Sequence, residues 1–196
     1  KYYKLELCQN YMADAILQTA EDLHIAPLTK QLALHQAESI LALENNWKEI
    51  GDEPWNLENL MYELPEKWEL SHIALNHGGV IGYQIGCLRD VRDKGLPDYL
   101  QHTVKDSYLL PYLKKIVVDR DARVLGVGKR LIKSFLEKLL EKGHNRLIFR
   151  VRTDNPAVKF YEKLRFTQRE EIDRTRPDGV ASYFYDSSVS DVLKNL

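Results

Sequence analysis

One stretch, from Ile116 to Leu131, limits the fold more than any other. It reads Ile-Val-Val-Asp-Arg-Asp-Ala-Arg-Val-Leu-Gly-Val-Gly-Lys-Arg-Leu. Three β-branched residues predict a strand, which enters a short polar turn. Gly126 and Gly128 then open the strongest amphipathic helix of the chain, expected over 126–142. The first amides of a helix have no internal partner, and the helix dipole is positive there. Glycine lets that backbone come close to an anion such as a pyrophosphate. Lys129 and Arg130 add positive charge nearby. A plain helix start also uses glycines, so the pair alone decides little. The P-loop pattern and the third glycine of the dinucleotide fingerprint are both missing.

The rest of the chain supplies a mixed set of elements. Residues 1–8 alternate weakly and predict a strand, and residues 11–23 carry apolar residues at helical spacing. His24 to Leu28 reads as a short strand ended by Pro27, and Thr29 can cap a helix over 30–44. Pro54 and Asn56 start another, carrying Leu57, Leu60, Met61 and Leu64. Leu70 to Leu75 and Val80 to Leu88 form a hairpin around Asn76-His77-Gly78-Gly79. Residues 89–106 are polar and read as an exposed insertion or a short irregular helix. Residues 108–118 are the next strand, and Pro111 argues for a bend or bulge in it. In the long helix Leu131, Ile132, Phe135, Leu136, Leu139 and Leu140 make the apolar face, and Gly143 ends it. Leu147 to Val151 is a strand, Ala157 to Leu164 a helix, and Phe166 to Ile172 and Ala181 to Tyr185 the final strands. Such an order predicts an α/β sheet with helices on both faces.

A second motif lies downstream: Asp154-Asn155-Pro156-Ala157-Val158-Lys159-Phe160-Tyr161-Glu162-Lys163-Leu164-Arg165-Phe166. Together with Arg123-x-x-Gly126-x-Gly128 after Ile116-Val117-Val118, it resembles the GNAT acetyltransferase superfamily. There the place reads Asn, then Ala, then Tyr-Glu-Lys-Leu-Gly-Phe. Asn155, Ala157, Tyr161, Glu162, Lys163, Leu164 and Phe166 match. Arg165 stands where the glycine usually is, so a strained residue or a different turn is expected there. Either Asp154 or Asn155 can take the Asn position, and Asn155 is preferred because its amide both donates and accepts.

The resemblance implies the GNAT fold: a mixed, mostly antiparallel sheet of six to seven strands, flanked by helices. The sheet would be splayed between the strand ending at Val118 and the one at 147–151. Residues 25–196 would be the acetyltransferase domain, and residues 1–24 an N-terminal extension outside the resemblance. Acetyl-CoA would be the co-substrate. Backbone groups of Ile116 and Val118, on the strand through Val117, would pair with the pantetheine arm. Amides of Val124, Leu125, Gly126, Val127, Gly128 and Lys129 would hold the pyrophosphate beside Arg123, with Asn155 close by. Tyr161 would be the general acid for the leaving thiolate. A phenol near ~10 suits a thiol near ~8.5. Packing alone also accounts for Tyr161, since Ala157, Phe160, Tyr161 and Leu164 share a helical stripe.

The implied reaction is acetyl transfer to a primary amine, of a small molecule or a peptide. The base stays open among His72, Tyr112, His102 and water. Arg150 and Arg152 alternate with apolar neighbours and read as a solvated sheet face, or as an anion-recognition pair. Acyl transfer to a carrier-protein thiol or hydroxyl is the competing enzyme reading. A non-catalytic coenzyme A-binding domain is the third. A homodimer is compatible with any of them.

Composition narrows the partners. Net charge is −1, from 28 basic and 29 acidic residues, so no general field for nucleic acid exists. Cys8 and Cys87 make neither a CxxC pair nor a disulfide framework, and no metal site is expected. A reduced, cytoplasmic setting follows. No apolar run reaches the ~18 residues of a membrane span. The start is not a signal peptide.

Overall fold

The computed structural model describes residues 22–46, 56–58, 60, 68–77, 79–93, 96–103, 108–172 and 179–196. The strand expected over 1–8, nearly all of the helix over 11–23, and Met61 and Leu64 of the third expected helix lie outside them.

Seven strands form one sheet: β1 (His24–Pro27), β2 (His72–Asn76), β3 (Gly79–Asp90), β4 (Leu109–Val118), β5 (Arg146–Arg152), β6 (Gln168–Ile172) and β7 (Ser182–Ser188). Their order is β1-β2-β3-β4-β5-β7-β6. Every pair is antiparallel except β4–β5, which is parallel and bridged at Tyr112 and Ile148 alone. Beyond that bridge the two strands part, as the resemblance implied.

Among the described residues, the sheet is flanked by the helices α1 (Lys30–His35), α2 (Ala37–Asn45), α3 (Tyr99–Thr103), α4 (Val127–Glu141), α5 (Ala157–Lys163) and α6 (Val189–Leu193). On one face, α4, α5 and α6 bury Phe135, Leu139, Tyr161 and Val189 against Leu113, Leu147, Phe149 and Tyr185. The other face holds α1 and α2, where Ala33, Ile40 and Leu43 pack on Ile73, Tyr83, Ile85 and Val117. Against this second face α3 also packs, through Leu100, on Leu110, Ile148 and Phe184. Strand alternation assigns each side chain to its layer. Gly86 sits where α4 crosses most closely. A Cβ there would lie 2.4 Å from the Phe135 ring and 2.7 Å from the Leu70 carbonyl.

Four details differ from the sequence expectations. The helix over 30–44 is two helices, broken at Gln36 (φ −104, ψ 14), although Thr29 caps α1 by accepting from the Leu32 amide. Pro111 lies within β4, opposite Leu88. The register shift falls between Ile85 and Gly86, where Lys114 is the extra residue on β4. The 89–106 segment is not simply exposed: β3 continues to Asp90, and Leu96 and Leu100 are buried. Finally, α6 follows β7, capped by the Ser188 hydroxyl, which accepts from the Asp191 amide.

Candidate cofactor-binding and catalytic site

The turn after β4 is a 3-10 helix over Asp121–Leu125, ended by Gly126 in the left-handed region (φ 71). The Gly126 amide donates to the Arg123 carbonyl at 3.2 Å, and the Gly126 carbonyl accepts the Arg130 amide at 3.1 Å. That accounts for the carbonyl at the start of α4. The amides of Val127, Gly128 and Lys129 precede the first intrahelical donor and point out of the helix end. A cavity of about 250 Å³ opens there, lined by Ile116, Val118, Arg123, Gly126, Gly128, Lys129, Pro156, Ala157 and Phe160. The two motifs, far apart in sequence, meet in its walls.

The two glycines serve different ends. At Gly126 an added Cβ would meet nothing within 4 Å, so glycine answers the positive φ. At Gly128 an added Cβ would lie 3.3 Å from the Phe160 ring and 3.7 Å from Val118 Cγ2. Here glycine keeps the floor of the cavity low. A shallow cradle of amides, two nearby cations and an apolar wall fit a molecule with a pyrophosphate and a long, mostly apolar arm.

Six of the expected cofactor residues line this cavity. The others lie outside its lining. Val117 points to the opposite face and is buried with α1 and α2. Val127 is fully buried beneath the helix start, Leu125 is half-buried, and the Val124 side chain is 79% exposed. Asn155 Oδ1 accepts the Ala157 amide at 2.8 Å and so fixes the entry to α5. Asp154, the rival for that place, pairs with Arg152 at 2.8 Å. Pro156, Ala157 and Phe160 were not expected to line the site. The Ala157–Phe160 spacing, i and i+3 on one helix face, is the signal that could have found them.

Tyr161 is buried among aromatics, with ring centroids 4.8 Å from Phe149, 5.4 Å from Phe160, 5.7 Å from Phe166 and 5.8 Å from Tyr185. Burial, and then the nearby Tyr185 and Tyr112, push its phenol above the ordinary range. The phenol therefore stays protonated, and the same shift makes it a weaker acid than a free tyrosine. Its neighbour Phe160 lines the cavity, while Tyr161 itself faces the core.

Of the candidate bases, His72 is buried on the α4 face. Its Nδ1 donates to Gln84 Oε1 at 3.1 Å, and Gln84 Nε2 donates to the Leu70 carbonyl at 3.2 Å. Burial holds the imidazole below its usual pKa. His102 is exposed on α3. Tyr112 stands at the β4–β5 bridge, facing away from the cavity, with the Arg89 guanidinium 4.9 Å from its ring centroid. Burial raises the Tyr112 phenol, and the charges of Arg89 and Arg150 oppose that rise. On the same face Lys115 pairs with the buried Glu44 of α2 at 2.6 Å. The Arg152 side chain is only 10% exposed, so the solvated sheet face expected for β5 does not describe it.

The model of the acetyltransferase (GNAT) family matches residues 37–166. No protein of curated function matches the sequence. Among solved structures, the fold is similar to one from the NatC complex bound to Gag peptide and CoA. That match has 18% identity and a TM-score of 0.66, and covers 85% of this chain and 98% of that one. Arabidopsis thaliana NAA60 in complex with acetyl-CoA is similar at 15% identity and TM-score 0.63, covering 85% and 99%. The ribosomal-protein-S18-alanine N-acetyltransferase from Escherichia coli is similar at 17% identity and TM-score 0.60, covering 85% and 94%.

Proposed function

The chain belongs to the acetyltransferase (GNAT) family, and from that premise we propose that it transfers an acetyl group from acetyl-CoA to a primary amine. The observation that carries this is the single cavity walled by both motifs, Arg123-Gly126-Gly128-Lys129 on one side and Pro156-Ala157-Phe160 on the other. Acetyl-CoA, when bound, supplies a thioester carbonyl open to attack by an amine.

The chain's residues divide the remaining work. The amides from Val124 to Lys129 and the charges of Arg123 and Lys129 hold the pyrophosphate. Backbone groups of Ile116 and Val118 align the pantetheine arm as a further strand. Asn155 sets the start of α5, and with it Phe160 and Tyr161. Tyr161, whose neighbour Phe160 lines the cavity, is the candidate proton donor to the leaving thiolate. On the far face, burial keeps the Tyr112 phenol protonated, so it does not take the amine's proton, which passes to water; His72, on the α4 face, is committed to Gln84. Arg165 departs from the family glycine, yet the turn it ends is intact: its amide donates to Glu162 O and the Phe166 amide to Tyr161 O. That takes away one ground for a non-catalytic reading.

The acceptor is a small-molecule or peptide amine in a cytoplasmic setting. A similar fold solved with a peptide is reason to begin the screen with peptides. The test is release of free thiol from acetyl-CoA, followed with a thiol reagent across a panel of peptides, amino acids and polyamines. Amine-dependent release supports the proposal. Release driven only by thiols or alcohols would move it to the carrier-type reading.

A further inference from the structure

Among the described residues, two carboxylates away from the cavity are buried, Asp186 at 5% and Glu44 at 4% exposed. Asp186 is fully engaged. It accepts from Arg146 Nε and Nη2 at 2.8 and 2.7 Å and from the Tyr99 hydroxyl at 2.8 Å. Glu44, near the end of α2, is half engaged. Its Oε2 accepts from Lys115 Nζ at 2.6 Å, while Oε1 is buried with no hydrogen-bond partner among the described residues. A buried oxygen left without a partner costs stability. A buried ion pair rarely adds stability beyond an apolar contact of the same size, and its attested use is to fix one register. The use of this pair lies in where it holds Lys115.

Lys115 directly follows the bulge of β4. Gly86 pairs with Leu113 and Ile85 with Lys115, so Lys114 is the extra residue between them. The bulge changes which side chains face the cavity. Leu113, Ile116 and Val118 share the α4 face, and Tyr112, Lys115 and Val117 the other. Each set contains one step of three residues, where an unbroken strand steps by two. Without the extra residue, Ile116 and Val118 would turn to the face of Tyr112, and Val117 would take their place.

The sequence of β4 alone does not fix this choice. Lys114 and Lys115 are adjacent and alike in size and charge, so either can stand at the bulge. What separates them is the carboxylate on α2, which holds Lys115 to the far face. We propose that Glu44 is a positioning residue for the cofactor strand: by holding Lys115 it fixes the bulge at Lys114, and so keeps Ile116 and Val118 in the wall of the cavity. The inference rests on the acetyltransferase reading above only for the identity of the molecule held there.

The test uses the full chain and a double variant, Glu44→Met with Lys115→Met, which replaces the pair by apolar side chains of similar length. Such an exchange should keep or raise the melting temperature. It also leaves apolar side chains at 113, 115 and 117, the pattern of an unbulged strand. Register is read by adding Ile116→Cys or Val117→Cys to each chain and following labelling with a thiol reagent, resolved by peptide mass spectrometry. With the pair in place, the thiol at 116 should react about tenfold or more faster than the one at 117, where Val117 is 2% exposed. Without the pair that ratio should fall by about fivefold or more. Acetyl-CoA, titrated calorimetrically, should then bind about fivefold or more weakly. In a folded double variant, an unchanged labelling ratio overturns the inference, as does a fallen ratio with acetyl-CoA affinity retained. If the double variant does not fold, Glu44→Gln, which keeps the shape of the side chain, is read in the same way. A ratio that falls as expected in a chain that never binds acetyl-CoA would leave the register lock standing and overturn the cofactor reading instead.

Discussion

Replacing Arg165 with glycine should stabilise the protein. Two helices of this chain end in the same way. In α4 the Gly143 amide donates to Leu140 O and the His144 amide to Leu139 O, with Gly143 at φ 80. In α5 the Arg165 amide donates to Glu162 O and the Phe166 amide to Tyr161 O, with Arg165 at φ 60. Both are Schellman ends, and one puts an L-residue where glycine belongs. A left-handed conformation costs an L-residue about 1–2 kcal/mol. Glycine gives back roughly 0.4–1 kcal/mol by loosening the unfolded chain. Arg165 is exposed, so little burial is lost. The net is about 0.5–1 kcal/mol, or about 1–4 °C in Tm for a chain of this size. Gly143→Arg is the mirror experiment: a Cβ there meets nothing within 4 Å, so it should lose a similar amount. Urea unfolding followed by circular dichroism measures both. Equal or lower stability for Arg165→Gly, or an unharmed Gly143→Arg, would refute the reasoning.

The site yields four further tests. Gly128→Val fills the cavity floor beside Phe160 and should weaken acetyl-CoA by at least about tenfold in calorimetry; Gly126→Ala instead strains φ 71 and should show first as about 0.5–1 kcal/mol of lost stability in urea. Tyr161→Phe should lower kcat more than it changes KM for acetyl-CoA, and full activity would leave Tyr161 as packing alone. His72 is held below its usual pKa by burial, so under pH 6.5 the unfolded chain binds more protons than the folded one. Stability should therefore fall as pH drops through that range, and His72→Gln should flatten the dependence; an unchanged slope would remove His72 as its source.

Much of the site could be read from the chain because its parts are local. Positive φ, close approach and an open helix end are needs of one backbone stretch, and Arg123, Gly126 and Gly128 announce them. The strand–helix rhythm gave α4 and β5 to within a residue or two, since each buries one periodic face. What local pattern could not supply is contact between distant segments. Phe160 looked like core until the fold set it beside Gly128. Val117 looked like its neighbours until alternation turned it away. The bulge at Lys114 came instead of a bend at Pro111, because register is settled between strands rather than within one. The polar look of 89–106 concealed Leu96 and Leu100, whose burial depends on Ile148 and Phe184. Asp186 gave no sign at all, since its partners lie on other elements.

The most direct measurement is calorimetric titration of the full chain with acetyl-CoA, beside the Gly128→Val variant. Micromolar binding by the first, weakened at least about tenfold in the second, is the result the cradle predicts. No binding by the unaltered chain, or equal binding by both, would contradict the assignment of this cavity to the cofactor.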